Sequence, residues 1–431
     1  MNTNSVFNNA KWIILCKVAQ SLLQLVIGML SARYLGPANY GLVNYAASVV
    51  AFAVPLMQLG LNATIVRELI DNPDREGDIL GTSLVMQLVS GGICMFLVAG
   101  FVSAANYGET QTQMVCVLYS LSLLFQAVET VQYWFHSKLQ SKYPSIMMLC
   151  AYIVVSAYKI YLLVAAKSIY WFAVVYSIEY GIVGISLLFI YKKQAPQSLR
   201  VSISTAKQLF SRSRYYIFAA MMVTVFQNTD HIMLKMMSGD IENGYYTAAI
   251  TCASVVQFVY TAIVDSMRPV ILSSKKTNAA EFEKNISTLY CITTYMALVQ
   301  GVGFTLFAKL IVSILYGSAY MHAAPVLQIL VWYVAFAYMG SVRNVWILAE
   351  GKQQFLWKIN LAGALVNVAV NAILIPVWGA CGAAVASLLT QFFTNFLLGF
   401  FYQPLQENNR LLINGVKPAF LWSILKNKKV M

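Results

Sequence analysis

The chain alternates long apolar stretches with short polar breaks. Most of the stretches run to about 20 residues, the length an α-helix needs to cross the hydrocarbon core of a bilayer. Twelve are predicted, near residues 12–33, 41–66, 79–103, 112–135, 145–166, 169–191, 208–236, 245–268, 286–308, 324–349, 357–376 and 380–402. The connections between them are too short for a separate soluble domain. The first stretch carries Lys17 and is too long for a cleaved leader, so it reads as a retained helix.

Polar residues inside the stretches recur at steps of three and four, which keeps each set on one helix face. The first stretch offers Lys17, Ser21, Gln24, Gly28 and Ser31, and the second Asn44, Ser48, Ala51, Pro55, Gln58 and Asn62. The seventh offers Thr224, Gln227, Asn228, His231 and Lys235, with Asp230 beside them. The eighth offers Thr247, Thr251, Ser254, Thr261, Asp265 and Arg268. Polar side chains are costly in lipid and turn toward a bundle interior or a wet cavity. The matched stripes nominate Lys17, Gln24, Gln58, Asn62, Gln227, Asp230, His231, Thr261, Asp265 and Arg268 as lining a hydrated cavity. For any single Ser, Thr or Asn the competing reading is an interhelical hydrogen bond. Four further embedded charges, Glu129, Lys159, Glu179 and Arg343, are candidates for ion coupling or for structural pairing. Either acid could bind a coupling cation or pair with Lys159, and Arg343 has Glu350 two turns on.

The breaks themselves repeat. Gly36 and Gly41 stand between the first and second stretches, and Gly239 and Gly244 between the seventh and eighth, each pair offset by 203 residues. Glycine permits a tight turn, and all four are expected at external turns. Six stretches per half make both halves enter the membrane in the same direction, which is a parallel repeat. The chain is therefore expected to be an all-α integral membrane protein of about twelve transmembrane helices, in two parallel six-helix repeats around a central cavity. The expected division is an N-terminal bundle over 1–200, a C-terminal bundle over 201–403 and a basic cytoplasmic tail over 404–431.

Composition supports the bilayer. The chain has 431 residues, 59% hydrophobic and 10% charged, against about 25% charged in a soluble domain. Its net charge of +13 is sided rather than general. With twelve passes, 22 of the 29 Lys and Arg fall with the termini and the even-numbered loops. The positive-inside rule puts that side in the cytoplasm. The charge thus orients the chain and does not point to nucleic acid. The end of the chain, "KPAFLWSILKNKKVM", could lie as a basic amphipathic segment on an anionic leaflet. The seven Cys are scattered through apolar stretches and the three His are far apart. No disulfide framework, metal centre, cofactor, catalytic residue or P-loop is expected, so the chain does not read as an enzyme.

Four segments carry a family resemblance. "ARYLGPANYG" (32–41), "TDHIMLKMMSGDIENGYYTAA" (229–249), "LYGSAYMHAAPVLQIL" (315–330) and "VWGACGAAVASLLTQ" (377–391) resemble the signatures of bacterial polysaccharide flippases. These belong to the multidrug/oligosaccharidyl-lipid/polysaccharide (MOP) superfamily. The resemblance implies two six-helix bundles around a cavity that opens alternately to each side. It implies a cargo, an oligosaccharide repeat unit on undecaprenyl diphosphate, moved from the inner to the outer leaflet of the bacterial cytoplasmic membrane. The implied partners are that lipid-linked oligosaccharide, membrane lipid, H+ or Na+ as coupling ion, and polymerase and chain-length proteins of the same pathway. A cationic cavity is a tendency of the family and agrees with Lys17; Asp230 matches the family's Asp before Ile-Met-Leu. The rival readings are a multidrug exporter of the same superfamily, a lipid II flippase, and a membrane polysaccharide polymerase or ligase. Lys17 and the lack of any acid in the first stretch disfavour the drug exporter.

Overall fold

The structure is a computed structural model that describes residues 3–426 except 196; side chains are described from residue 16 on, apart from those at 17, 18, 22, 63, 424 and 425. The described residues contain helices and turns and no strand. The chain forms two compact units, Met1–Ile232 and Met233–Met431.

Unit 1 begins with α1 (Thr3–Gln58), which is broken at Gly36. It continues through α2 (Ile65–Asp71), α3 (Glu76–Ala105), α4 (Thr110–Ser120), α5 (Ser122–Val128) and α6 (Gln132–Ser137). Then come α7 (Lys142–Val164), α8 (Ile169–Gln194) and most of α9 (Ile203–Ser238). Its main core follows helical spacing. Leu42, Tyr45, Val49, Ala53 and Met57 form one face of α1 and meet Cys94, Val98 and Val102 of α3 and Val115, Tyr119 and Leu123 of α4 and α5. In lipid such faces are held by close packing and by interhelical hydrogen bonds rather than by a water-driven effect. Tyr45 supplies one such bond, its hydroxyl donating to Asn106 Oδ1 at 2.8 Å.

Unit 2 contains α10 (Asp240–Ala253), α11 (Gln257–Thr277), α12 (Ala279–Tyr316) and α13 (Ala323–Ala349). It ends with α14 (Leu356–Phe392), α15 (Leu398–Phe401), α16 (Gln406–Val416) and α17 (Pro418–Lys426). Helix α16 belongs to the core of this unit, with Leu411 and Leu412 buried beside Phe282, Ile286 and Trp346. Tyr290 donates to Asn408 Oδ1 at 2.8 Å, and Arg410 pairs with Glu283 at 2.7 Å. Residues 406–416, read from sequence as part of a separate tail, are thus a packed element, with Asn408, Leu411, Leu412 and Gly415 on one buried face.

The division between the units also falls later than residue 200. The segment between α8 and α9 is strapped to unit 1. Arg200 N donates to Gly77 O at 3.1 Å and Ser202 N to Thr82 Oγ1 at 3.0 Å. Gly77 and Gly81 admit this approach, since a Cβ at either would meet the carbonyl oxygen of Ser198 or Arg200. Arg212 pairs with the buried Glu68, and Ser213 Oγ donates to Leu59 O at 2.8 Å. The first turns of α9 are therefore part of unit 1.

By length and hydropathy eight helical stretches of the described residues can cross a membrane, or nine if α10 and α11, bent by 46°, count as one. Two of the eight, Ala19–Gln58 and Gln353–Phe401, contain a glycine with non-helical backbone, Gly36 and Gly379. Helix α9 is not among them. The reading of twelve passes counts α10 and α11 as one, divides those two helices at their glycines and adds α9.

The turn glycines show the repeat in backbone form. Gly36 has φ 70°, ψ 170° and Gly239, between α9 and α10, has φ 89°, ψ 179°. Both lie in a region that side chains with a Cβ avoid. Gly317, after α12, adopts the same conformation at φ 86°, ψ −178°. Gly41 and Gly244 do not make turns: each lies inside the following helix and is buried. One glycine of each pair carries the non-helical backbone.

Candidate functional site

The nominated cavity residues fall into separate groups. Lys17 lies on α1, and its side chain is outside the described residues. Gln24 on α1 and Gln227 on α9 are exposed, whereas Asp230 is buried and His231 partly buried. On α11, Thr261, Asp265 and Arg268 are all exposed and share one face at steps of four and three. The Thr261 hydroxyl donates to Gln257 O at 3.0 Å, and Asp265 pairs with Arg268 at 3.0 Å. This face carries charge on a helix that buries Tyr260, Val264 and Ile271 on the neighbouring face.

Gln58 and Asn62 are drawn together by a residue the sequence reading passed over. Gln87 of α3 is 1% exposed. Its Nε2 donates to Gln58 O at 3.3 Å and approaches Asn62 Oδ1 at 3.5 Å. Its Oε1 accepts from the hydroxyl of Thr130. The available signal was a single amide in an apolar run, which spacing alone does not separate from ordinary packing.

Thr130 adjoins Glu129, and here the structure gathers three of the four embedded charges. Glu129 is 8% exposed and stands where α5 tightens into a 3-10 turn, Glu129–Val131. Glu179 of α8 lies within electrostatic reach of both Glu129 and Lys159 of α7. The Lys159 ammonium sits over the rings of Tyr176, at 5.5 Å, and Tyr152, at 6.0 Å. Small residues let these helices meet: a Cβ at Gly184 would lie 3.0 Å from Val128, and one at Gly181 3.2 Å from the Phe125 ring. Gly181 and Gly184 thus let α8 pack against α5 and the start of the Glu129–Val131 turn.

Arg343, the fourth charge, is in unit 2 and is 6% exposed. It does not pair with Glu350. Two helical turns separate the two along the axis by about 10 Å, too far for contact. Glu350 pairs with Lys275, and Arg343 donates to Thr394 O at 2.9 Å and to Asn344 Oδ1 at 3.3 Å. Lys235 likewise has a local partner, Asp240 at 2.7 Å across the Gly239 turn. Arg343 and Lys235 therefore hold main chain and turn in place. Among the described residues, no group of three or more His, Cys, Asp or Glu is arranged to hold a metal ion.

Comparison with solved structures places this architecture among membrane transporters. A lipid II flippase, MurJ in an inward closed conformation, superposes with a TM-score of 0.73 at 14% identity, covering 97% of this chain and 94% of that one. An inward-facing multidrug resistance transporter of the MATE family, MOP superfamily, gives 0.66 at 12% identity over 95% and 96%. The fold is shared with these two transporters. The sequence matches the Polysaccharide biosynthesis protein family over residues 6–275, and the chain belongs to that family. The capsular polysaccharide biosynthesis protein CapF of Staphylococcus aureus is 19% identical over 400 residues, 92% of this chain and 98% of CapF. An uncharacterized membrane protein of Methanocaldococcus jannaschii is 25% identical over 228 residues, 51% of this chain; the match spans 43% of that protein.

Proposed function

We propose that the chain moves undecaprenyl-diphosphate-linked oligosaccharide units from the inner to the outer leaflet of the bacterial cytoplasmic membrane, by alternating access of two six-helix bundles with both termini in the cytoplasm. The observation that carries the reading is the charged face of α11, where Thr261, Asp265 and Arg268 are exposed on the second helix of the bent pair α10–α11, which is long and apolar enough to cross a membrane when the two count as one span. Exposed charge at such a place calls for water or for a polar cargo rather than lipid tails. Family membership and the name of CapF support a carbohydrate cargo.

The physics of the task fits. A polyprenyl tail can stay in lipid throughout, while sugars and a diphosphate cannot enter hydrocarbon unpaired. A hydrated cationic cavity replaces their water shell. Lys17 and Arg268 are the cations assigned to the diphosphate, Gln24, Gln58, Asn62 and Gln227 the groups assigned to sugar hydroxyls, and Asp230 and His231 further lining. Pathway polymerase and chain-length proteins would receive the cargo outside. The chain itself makes and breaks no covalent bond in this reading.

The test is made in a strain lacking the gene. Lipid-linked saccharides are extracted and assigned to a leaflet with an impermeant glycan-modifying enzyme. Single repeat units held on the cytoplasmic face, and cleared when the gene returns, support the proposal. Accumulation on the outer face would point to a polymerase or ligase, and no lipid-linked intermediate at all to a drug exporter. Lys17→Ala is expected to lower surface polysaccharide by about tenfold or more, the loss of one charge-assisted contact, with membrane abundance near normal. Equal loss of polysaccharide and protein would make Lys17 structural.

A further inference from the structure

A groove of about 630 Å³ opens in unit 2. Tyr260 of α11, Tyr295, Val299, Gly303 and Phe304 of α12, and Leu421 of α17 line it. Along α12 the lining runs from Cys291 to Phe304, about 20 Å at 1.5 Å per residue. Helix α12 is long and apolar enough to cross a membrane. Val299 is 75% exposed on the groove and Val302 beside it is exposed too, so the groove opens on a face that lipid tails cover. Counted back along α12 from the Gly317 turn, Phe304 lies about 20 Å away and Tyr295 about 33 Å. The hydrocarbon core is about 30 Å thick, so the groove starts at its boundary and rises through about half of it. The end of the chain lies at that boundary. The Tyr295 hydroxyl donates to Val416 O at 3.0 Å, and Lys417 follows directly. Helix α17 then places Phe420 and Leu421 partly inside and Trp422 outside, with Lys417 and Lys426 exposed at its two ends. Residues 411–431 contain four Lys and no Asp or Glu. Aromatic and basic side chains beside an apolar helix face are the pattern of a segment lying among lipid headgroups.

We propose that this groove holds one acyl chain of an anionic phospholipid, with α17 as its cover and Lys417 and Lys426 as the contacts for the phosphate headgroup. Size argues against a protein helix as occupant. A helix about 10 Å across would fill about 1,600 Å³ over the same 20 Å, more than twice the space of the groove. A single chain entering from one leaflet matches both the apolar lining and the depth of half a bilayer. Charge selects the headgroup. Lys417 spends one of its three N–H donors on Asn414 Oδ1, at 2.9 Å, and keeps two for a phosphate. Basic side chains with no acid in their own segment attract an anionic lipid and offer a zwitterionic one no net attraction. The leaflet follows from the reading above, on which this point rests: with the end of the chain in the cytoplasm, α17 meets the leaflet that carries anionic lipid. The seated chain packs on Tyr260, one residue before Thr261, and so supports the helix that carries the Asp265–Arg268 pair.

The test is lipid retention by the full chain. The protein is purified in detergent and mixed with equal amounts of dioleoyl phosphatidylglycerol and dioleoyl phosphatidylethanolamine, which differ only in headgroup. Native mass spectrometry counts the adducts. The anionic lipid should be retained over the zwitterionic one by about tenfold or more, two lysines each contributing about fivefold. Lys417→Gln with Lys426→Gln should bring the ratio to about one. Gly303→Leu fills the groove without a clash, because a Cβ at Gly303 meets nothing within 4 Å. It should lower retention of the anionic lipid by about tenfold and leave the melting temperature without lipid unchanged. Equal retention of the two lipids by the unmodified chain overturns the proposal, and so does full retention by Gly303→Leu. Displacement of phosphatidylglycerol by an equal amount of undecaprenyl phosphate would assign the groove to a polyprenyl tail and overturn it as well. The readout involves no transport. A chain that retains phosphatidylglycerol but moves no lipid-linked oligosaccharide would overturn the cargo and leave the lipid site; one that moves cargo but retains neither lipid would overturn the site alone.

Discussion

Gly382→Val is expected to cost about 3 kcal/mol, enough to shift the folded fraction by about a hundredfold and to remove most of the protein from the membrane. The reason lies in the break within α14. Gly379 takes φ 53°, ψ −129°, which frees the backbone N–H groups of the residues that follow. Glu242 of α10 receives one of them, its Oε2 accepting from Ala380 N at 2.7 Å. A carboxylate at this helix start also meets the positive end of the helix dipole. The chain beyond the break returns close to the chain before it. A Cβ at Gly382 would overlap the carbonyl oxygen of Leu374 and come within 3.0 Å of Ile375 N. Backbone on both sides leaves nothing flexible to yield. Gly92→Ala is the control, because a Cβ there meets nothing within 4 Å. It should be neutral or stabilising by up to about 1 kcal/mol, since alanine favours the helix. Thermal unfolding in detergent compares the two. Equal melting temperatures would remove the close approach at Gly382 as a determinant of the fold.

The contrast between these two glycines shows where sequence reasoning reaches and where it stops. Gly36 and Gly239 were legible because a turn between two helical runs needs a residue free to adopt positive φ, and that need is local. Gly382 and Gly92 look alike in sequence, both in apolar helical runs. What separates them is a neighbour brought close by the fold. The same limit governs the charges. Spacing placed Thr261, Asp265 and Arg268 on one face correctly, because all three lie on one helix. Spacing could not find the register of α8 against α5, which sets Gly181 against Phe125 and Gly184 against Val128. Gln87 was passed over for that reason too: its partners, Gln58 and Thr130, belong to other elements. Arg343 and Glu350 failed in the opposite way. Arg343 sits on α13 and Glu350 just past its end, but seven residues apart is two turns, and the structure gives each a nearer partner. The division expected at residue 200 falls in the polar segment between α8 and α9, yet the main chain there is bonded along α3 through Gly77 and Thr82.

Arg268→Ala is expected to slow cargo movement by about tenfold to a hundredfold, the loss of a charge-assisted contact of about 1.5–3 kcal/mol with a diphosphate. Stability should change little. The Asp265–Arg268 pair is half exposed on both sides, and such pairs contribute about 0–1 kcal/mol. A loss of transport with normal abundance would still fit two explanations, because removing Arg268 also leaves Asp265 unpaired. Exchanging the two residues, Asp265→Arg with Arg268→Asp, separates them. The exchange keeps one ion pair at the same spacing on α11 but moves the cation by nearly one turn, about 4–5 Å along the axis. If the pair matters only by neutralising Asp265, the exchange restores movement. If Arg268 reads the diphosphate, the exchange fails, since a contact with one anion depends on where the cation stands. Arg268→Lys should fall between wild type and alanine, keeping the charge and losing the two-pronged geometry a phosphate oxygen pair accepts. Leaflet assignment of lipid-linked saccharides in cells carrying each variant gives the readout, normalised to protein in the membrane. Full restoration by the exchange would withdraw Arg268 from the cargo site and leave Lys17 as the cation assigned to the diphosphate.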